Sequence, residues 1–175
     1  MKKPTLAVYC ARSWRISTLL TTGIIPMTAP PLTAETINLK DLKAEIVYIR
    51  LHGLDGQPYL YGSPRWATAI SGKQVEGTPE IFSGSIVYLE GCYGTTMANA
   101  FLNAGARAVV GDKDTSWGRC FRLGPSSKIG KHWLKQIKQG ASVRDALAVS
   151  LAKVKHLPYE LYDGMFVVGE MGVTI

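Results

Sequence analysis

Two hydrophobic runs in this chain each end in a residue that can do acyl-transfer chemistry. Glu45-Ile-Val-Tyr-Ile-Arg-Leu is followed at once by His52-Gly53, and Ser85-Ile-Val-Tyr-Leu-Glu-Gly is followed by Cys92. Both runs are short, β-branched and almost without polar alternation, the pattern of buried strands in a parallel sheet. In open sheets of that kind, ligands bind beyond the carboxyl ends of the strands. Neighbouring strands ending in His and Cys would put a base and a nucleophile into one crevice.

A thiol attacks a carbonyl as its thiolate, and free cysteine is mostly protonated at neutral pH. A histidine in reach can take that proton and later protonate a leaving amine. Each residue also has a plainer reading. Cys92 alone fits a buried structural thiol, since cysteine is among the most buried residue types. His52 alone fits a hydrogen-bonded structural histidine. Their pairing at the ends of two similar strands favours the catalytic reading of both.

The elements around them alternate strand and helix. Strands are expected at Thr5 to Cys10, Ile24 to Ala29, Arg107 to Gly111 and Met165 to Gly169, besides the two that carry His52 and Cys92. Helices are expected at Ser13 to Thr22, Thr95 to Ala104 and Lys128 to Gln139. A last one begins at Ser142, which forms a capping box with Asp145 and runs toward Pro158. One helical turn fits Leu39 to Lys43. Residues 53–84 are dense in Gly and Pro and read as loop with short strands at Tyr59 to Tyr61 and Trp66 to Ser71. That stretch is also a candidate activation or specificity segment. The alternation predicts an α/β fold, a three-layer α/β/α sandwich around a mostly parallel sheet, in one domain over residues 1–175.

Composition narrows the class. A 46% apolar fraction in 175 residues supports a full core. No run is long enough to span a membrane. The start Met1-Lys2-Lys3 faintly resembles a signal peptide, but Arg12 and Arg15 interrupt the apolar stretch behind it, so a cytoplasmic protein is expected. Three cysteines, Cys10, Cys92 and Cys120, argue against a disulfide framework. Cys10 and Cys120 have no motif around them and read as inert. His132 and His156 read as surface residues. No Cys-x-x-Cys or comparable spacing suggests zinc, and no cofactor motif is present.

The net charge of +7 leans to the C-terminal half. Lys128, Lys131, Lys135 and Lys138 share one side of a helix. They could meet a phosphate backbone or a membrane surface, but a solvated face opposite Ile129, Trp133 and Ile137 is the simpler reading. The absence of interleaved aromatics argues against nucleic acid.

The order hydrophobic block, His-Gly, spacer, hydrophobic block, Gly-Cys resembles the caspase-like cysteine peptidases: caspases, metacaspases, gingipains, separases and bacterial CHAT domains. Caspases carry Gln-Ala-Cys-x-Gly with a histidine about 50 residues upstream. Here the stretch is Glu90-Gly91-Cys92-Tyr93-Gly94, and His52 lies 40 residues before Cys92. Ala100-Phe-Leu-Asn-Ala-Gly-Ala-Arg-Ala-Val-Val110 and Gly140-Ala-Ser-Val-Arg-Asp-Ala-Leu147 resemble the CHAT version most. The resemblance covers roughly residues 45–170, and residues 1–44 look shortened against the family.

The resemblance implies a Cys92 nucleophile, a His52 acid/base, and backbone N–H groups of Gly53 and Cys92 as an oxyanion hole. It implies a protein or peptide substrate and leaves room for an activating partner protein. Asp112 and Asp114 follow the strand after Cys92, and either could select a basic P1 side chain. The plainer reading of each is a turn carboxylate. Glu90 could line the same subsite or pair with a nearby cation. Two alternatives to a cysteine endopeptidase remain. One is an inactive CHAT-like interaction domain, favoured by the compact size and short N-terminal region. The other is a basic nucleic-acid-associated protein using the lysine helix.

Overall fold

The computed structural model describes residues 3–62, 67–115, 123–155 and 164–175. Trp66, Cys120 and His156 lie outside them, as does the expected approach to Pro158. Nine strands and five α-helices are described: β1 (Leu6–Ala11), α1 (Arg15–Thr22), β2 (Met27–Ala29), β3 (Ile46–Arg50), β4 (His52–Gly53), β5 (Tyr59–Tyr61), β6 (Thr68–Ser71), α2 (Gly72–Glu76), β7 (Ile86–Leu89), α3 (Thr95–Asn103), β8 (Ala108–Asp112), α4 (Pro125–Ile137), α5 (Val143–Val154) and β9 (Met165–Gly169). A 3-10 turn at Arg12–Trp14 leads into α1, and another covers Leu39–Leu42.

Six strands form the main sheet in the order β2-β1-β3-β7-β8-β9. Every pair is parallel except β8 with β9. Strand alternation divides the core in two. Val47, Ile49, Val87, Leu89 and Val109 face α3 and its Phe101. Ile46, Tyr48, Ile86, Tyr88 and Val110 face α4 and α5, where Ile129, Trp133 and Ile137 close the layer. The sheet is therefore covered by helices on both faces, as the strand–helix alternation predicts.

The helix ends follow their local chemistry. Gly23 and Gly105 adopt left-handed φ of 76° and 97° after α1 and α3. Ser142 Oγ accepts the Asp145 N–H at 3.2 Å and opens α5. Pro125 at the first turn starts α4 three residues earlier than its apolar periodicity suggests.

One expectation needs correction. The His52 strand does not run on as a single piece. β3 ends at Arg50, and His52–Gly53 leave the main sheet to pair antiparallel with β5 in a small sheet of order β4-β5-β6. The reason lies next door. β7 stops at Leu89, and the chain turns through Cys92 into α3, so beyond Arg50 the two strand ends stay close but no longer form a ladder. The backbone groups of His52 and Gly53 find partners in the hairpin Tyr59–Ser71 instead.

Candidate active site

The register of β3 on β7 explains the interval between the two reactive residues. Ile46 pairs with Ile86, Val47 with Val87, Tyr48 with Tyr88 and Ile49 with Leu89. Each partner is 40 residues on, and the same offset relates Arg50 to Glu90 and His52 to Cys92. The Glu90 N–H still donates to the Ile49 carbonyl at 2.8 Å, one step beyond the strand pair. Past that point the two chains stay close without a ladder. A Cβ added to Gly91 would lie 2.1 Å from the Leu51 carbonyl oxygen. One added to Gly53 would lie 2.0 Å from the Cys92 carbonyl oxygen. Both glycines are required by this backbone-to-backbone approach.

Cys92 sits on a sharp strand-to-helix turn and is partly exposed. The next residue, Tyr93, has φ of 52°, a conformation that side-chain-bearing residues seldom adopt. The turn is tied down on both sides. The Tyr93 N–H donates to the Asp114 carbonyl at 3.0 Å, and the Thr96 hydroxyl donates to the Tyr93 carbonyl at 2.9 Å. Under Cys92, the space bounded by Ile49, Leu51, Leu60 and Leu89 has no room for a water molecule.

His52 packs against the indole of Trp14, with ring centroids 4.1 Å apart and the planes tilted by 40°. On the same indole lies the Arg50 guanidinium, 5.0 Å from the ring centroid. Burial, followed by the positive charge of Arg50, lowers the His52 pKa below the ordinary histidine value. Both effects favour the neutral imidazole, the form a proton acceptor needs.

Arg50 and Glu90 form an ion pair, Nε to Oε1 at 3.1 Å, with both residues almost wholly buried. Tyr48 donates its hydroxyl hydrogen to Glu90 Oε2, and Ser127 of α4 donates to Oε1 at 2.6 Å. Arg50 donates to Ser17 Oγ of α1 at 2.6 Å. The Glu90 carboxylate is thus committed to a cation and two hydroxyls, and the pairing alternative describes it. Glu90 in turn adds to burial in holding the Tyr48 and Tyr88 phenols well above their usual pKa.

Asp112 is buried at the end of β8, and its Oδ1 accepts the Asp114 N–H at 3.1 Å. A Cβ on Gly164 would lie 2.0 Å from that same oxygen. This is turn geometry. Asp114 is exposed, and its backbone is the one bonded to Tyr93 beside Cys92. Cys10 is buried, and desolvation pushes its thiol up to about 11, partly countered by the Thr18 hydroxyl and the Arg50 charge. Among the described residues no three His, Cys, Asp or Glu side chains gather as metal ligands would. None of the described helices is long and apolar enough to cross a membrane.

Sequence reasoning missed Trp14 and Arg50. Arg50 did leave a signal, an arginine within a buried apolar run at the same offset from Glu90 that separates the two IVY triplets. Trp14 left none, because its contact with His52 depends on how the turn after β1 folds over the strand ends.

No family model and no curated protein matches the chain. Solved structures match its fold. A chain of the separase–securin complex of Saccharomyces cerevisiae superimposes with a TM-score of 0.64 at 15% identity, covering 94% of this chain and 12% of that one. A solved structure of a protease superimposes with a TM-score of 0.54 at 10% identity, covering 97% of this chain and 47% of that one. This chain thus spans a small part of the first and about half of the second. The mixed α/β architecture, a mostly parallel six-stranded sheet flanked by helices, is the caspase-like fold of separase.

Proposed function

We propose that this chain is a cysteine endopeptidase of the caspase-like type. Cys92 attacks the scissile carbonyl, and the Cys92 thiol proton passes to His52. The tetrahedral oxyanion is held by the backbone N–H groups of Gly53 and Cys92. His52 then protonates the leaving amine, and water hydrolyses the acyl-enzyme. The single observation that carries this reading is the abutment of the two strand ends at one offset, with Gly53 pressed against the Cys92 carbonyl. The neutral imidazole supports it as well, because the base must start unprotonated. Trp14 and Arg50 act as positioning residues that fix the ring of His52.

Substrate selection goes with Asp114, the exposed acidic candidate next to the Cys92 turn, and favours Arg or Lys at P1. Asp112 and Glu90 support the walls of that region from within rather than meeting the substrate with a free charge.

A P1-diverse fluorogenic peptide library, hydrolysed by wild type, Cys92→Ala and His52→Ala in parallel, tests the assignment. Wild type alone should cleave, after basic residues. Full activity in Cys92→Ala would remove the nucleophile, and cleavage only after Asp would remove the basic P1 preference.

A second reading is a catalytically silent CHAT-like interaction domain. It is favoured by the space under Cys92 bounded by Ile49, Leu51, Leu60 and Leu89, which among the described residues has no room for a water molecule. No cleavage by any variant, with the fold intact, would select it.

A further inference from the structure

Helix α1 has its polar side inward. Ser17, Thr18, Thr21 and Thr22 are at most 6% exposed, whereas Ile16, Leu19 and Leu20 are 50%, 39% and 50% exposed. The inward hydroxyls of Ser17, Thr21 and Thr22 are committed. Ser17 holds Arg50, Thr18 lies against the Cys10 thiol, and the Thr21 and Thr22 hydroxyls donate back to the carbonyls of Ser17 and Thr18. The aliphatic residues are left facing out. Past Gly23, Ile24 and Ile25 extend the same exposed apolar run at 39% and 69%. Scattered surface leucines are ordinary, but five large aliphatics within ten residues form a patch of the kind that marks an interface.

Charge meets this apolar run at Ile24, which shares a hollow with Lys138 and Lys3. α1 packs against α4, and a groove of about 590 Å³ runs between them, lined by Thr21 and Thr22 opposite Lys131, Lys135 and Lys138. A hollow of about 370 Å³ continues it past Lys138 to Lys3 and Ile24. Among the described residues, no acidic side chain lines either space. The three lysines are spaced four and three residues apart, so their ammonium groups form one ridge along α4.

We propose that the α1–α4 face is a docking site for an acidic amphipathic helix of a partner protein. The partner's apolar side chains cover Leu19, Leu20, Ile24 and Ile25, and its carboxylates, repeating at three- and four-residue intervals, meet the lysine ridge. Burial of the aliphatics supplies most of the affinity, and the lysines set orientation and association rate. A groove between two helices receives inserted side chains, which a flat bilayer surface does not provide. The proposal stands whether or not Cys92 is a nucleophile.

The test is selection of a displayed library of helical peptides about four turns long against the full chain. Two surface variants serve as controls, Leu20→Ser/Ile25→Ser and Lys131→Glu/Lys135→Glu, both checked for unchanged thermal melting. The expected winners carry an apolar stripe flanked by Asp or Glu. Their Kd should rise about tenfold or more in either variant, and in wild type it should rise with salt. Winners that bind both variants as tightly as wild type would overturn the proposal, as would winners without acidic residues. So would a failure to select any peptide. Vesicles of phosphatidylcholine with phosphatidylserine, and sedimentation of the protein alone, complete the experiment. Binding to the vesicles, or self-association, that is lost in the same variants and is tighter than any peptide would assign the face to a membrane or to a second copy instead.

Discussion

Arg50 and Glu90 face each other at the position where the β3–β7 register would place its next inward pair, and they close that register with a buried ion pair at 3.1 Å. Below them Tyr48 stacks on Tyr88, rings 5.0 Å apart and nearly parallel, and two residues beyond them in sequence come His52 and Cys92. A buried pair of this kind is costly to break from one side, because the survivor keeps its charge without compensation. Arg50→Met or Glu90→Met alone should each lower stability by about 3–5 kcal/mol. Arg50→Met/Glu90→Met should recover most of that loss. Urea denaturation midpoints of the three variants check this, and additive losses in the double variant would show that the pair is not coupled.

The glycines at the strand ends give a second prediction. Gly53→Ala and Gly91→Ala each force a methyl into a backbone carbonyl, at 2.0 Å and 2.1 Å in the present geometry. Each should cost about 1–3 kcal/mol by overpacking, and each should separate the two strand ends. Gly172→Ala is the control, since nothing lies within 4 Å of its added Cβ and its φ is not left-handed. Thermal unfolding and peptide hydrolysis, measured together, should fall for the first two and stay unchanged for the third.

The pH dependence follows from His52. Its folded-state pKa lies below the unfolded value near 6.5, because burial and then Arg50 disfavour the imidazolium. Between those two values the unfolded chain binds more protons than the folded one. Stability from this group is therefore intact above about 6.5, falls as pH drops through that window, and levels off below the folded pKa. The acid limb of kcat/KM should likewise sit below the ordinary histidine range. In Arg50→Met/Glu90→Met the limb should move up toward it. An NMR titration of His52 reads the pKa directly, and a value above 6.5 in wild type would contradict the geometry.

Thiol reactivity separates the cysteines. Cys10 is buried with a pKa pushed up to about 11, whereas Cys92 is partly exposed at its turn. In a Cys120→Ser background, iodoacetamide at neutral pH should alkylate Cys92 and leave Cys10 intact until the protein unfolds. Peptide mass mapping after a time course checks the order of labelling.

The sequence by itself determined the layered α/β fold and the pairing of the two reactive strands. Ile46-Val-Tyr and Ile86-Val-Tyr are buried on both faces, and only a sheet with helices on both sides covers such strands. The observed register, Ile46 on Ile86, matches the equal spacing of the two runs from His52 and Cys92, since like side chains then share a face. Local signals likewise set the α5 cap at Ser142 and the glycine stops after α1 and α3, since these depend on neighbours a few residues away. Tertiary structure decided the rest. His52 leaves the main sheet for β5 because its neighbour β7 has already turned into α3, a fact that lies in another part of the chain. Glu90 is taken out of contention as a free charge by Arg50, Tyr48 and Ser127, which come from two strands and a helix. Trp14 reaches His52 across the turn after β1, and α1 presents Ser17 to the Arg50 guanidinium while its leucines face outward. Contacts between side chains distant in sequence depend on how the layers close. Periodicity records which face a residue takes and not which residue it meets there.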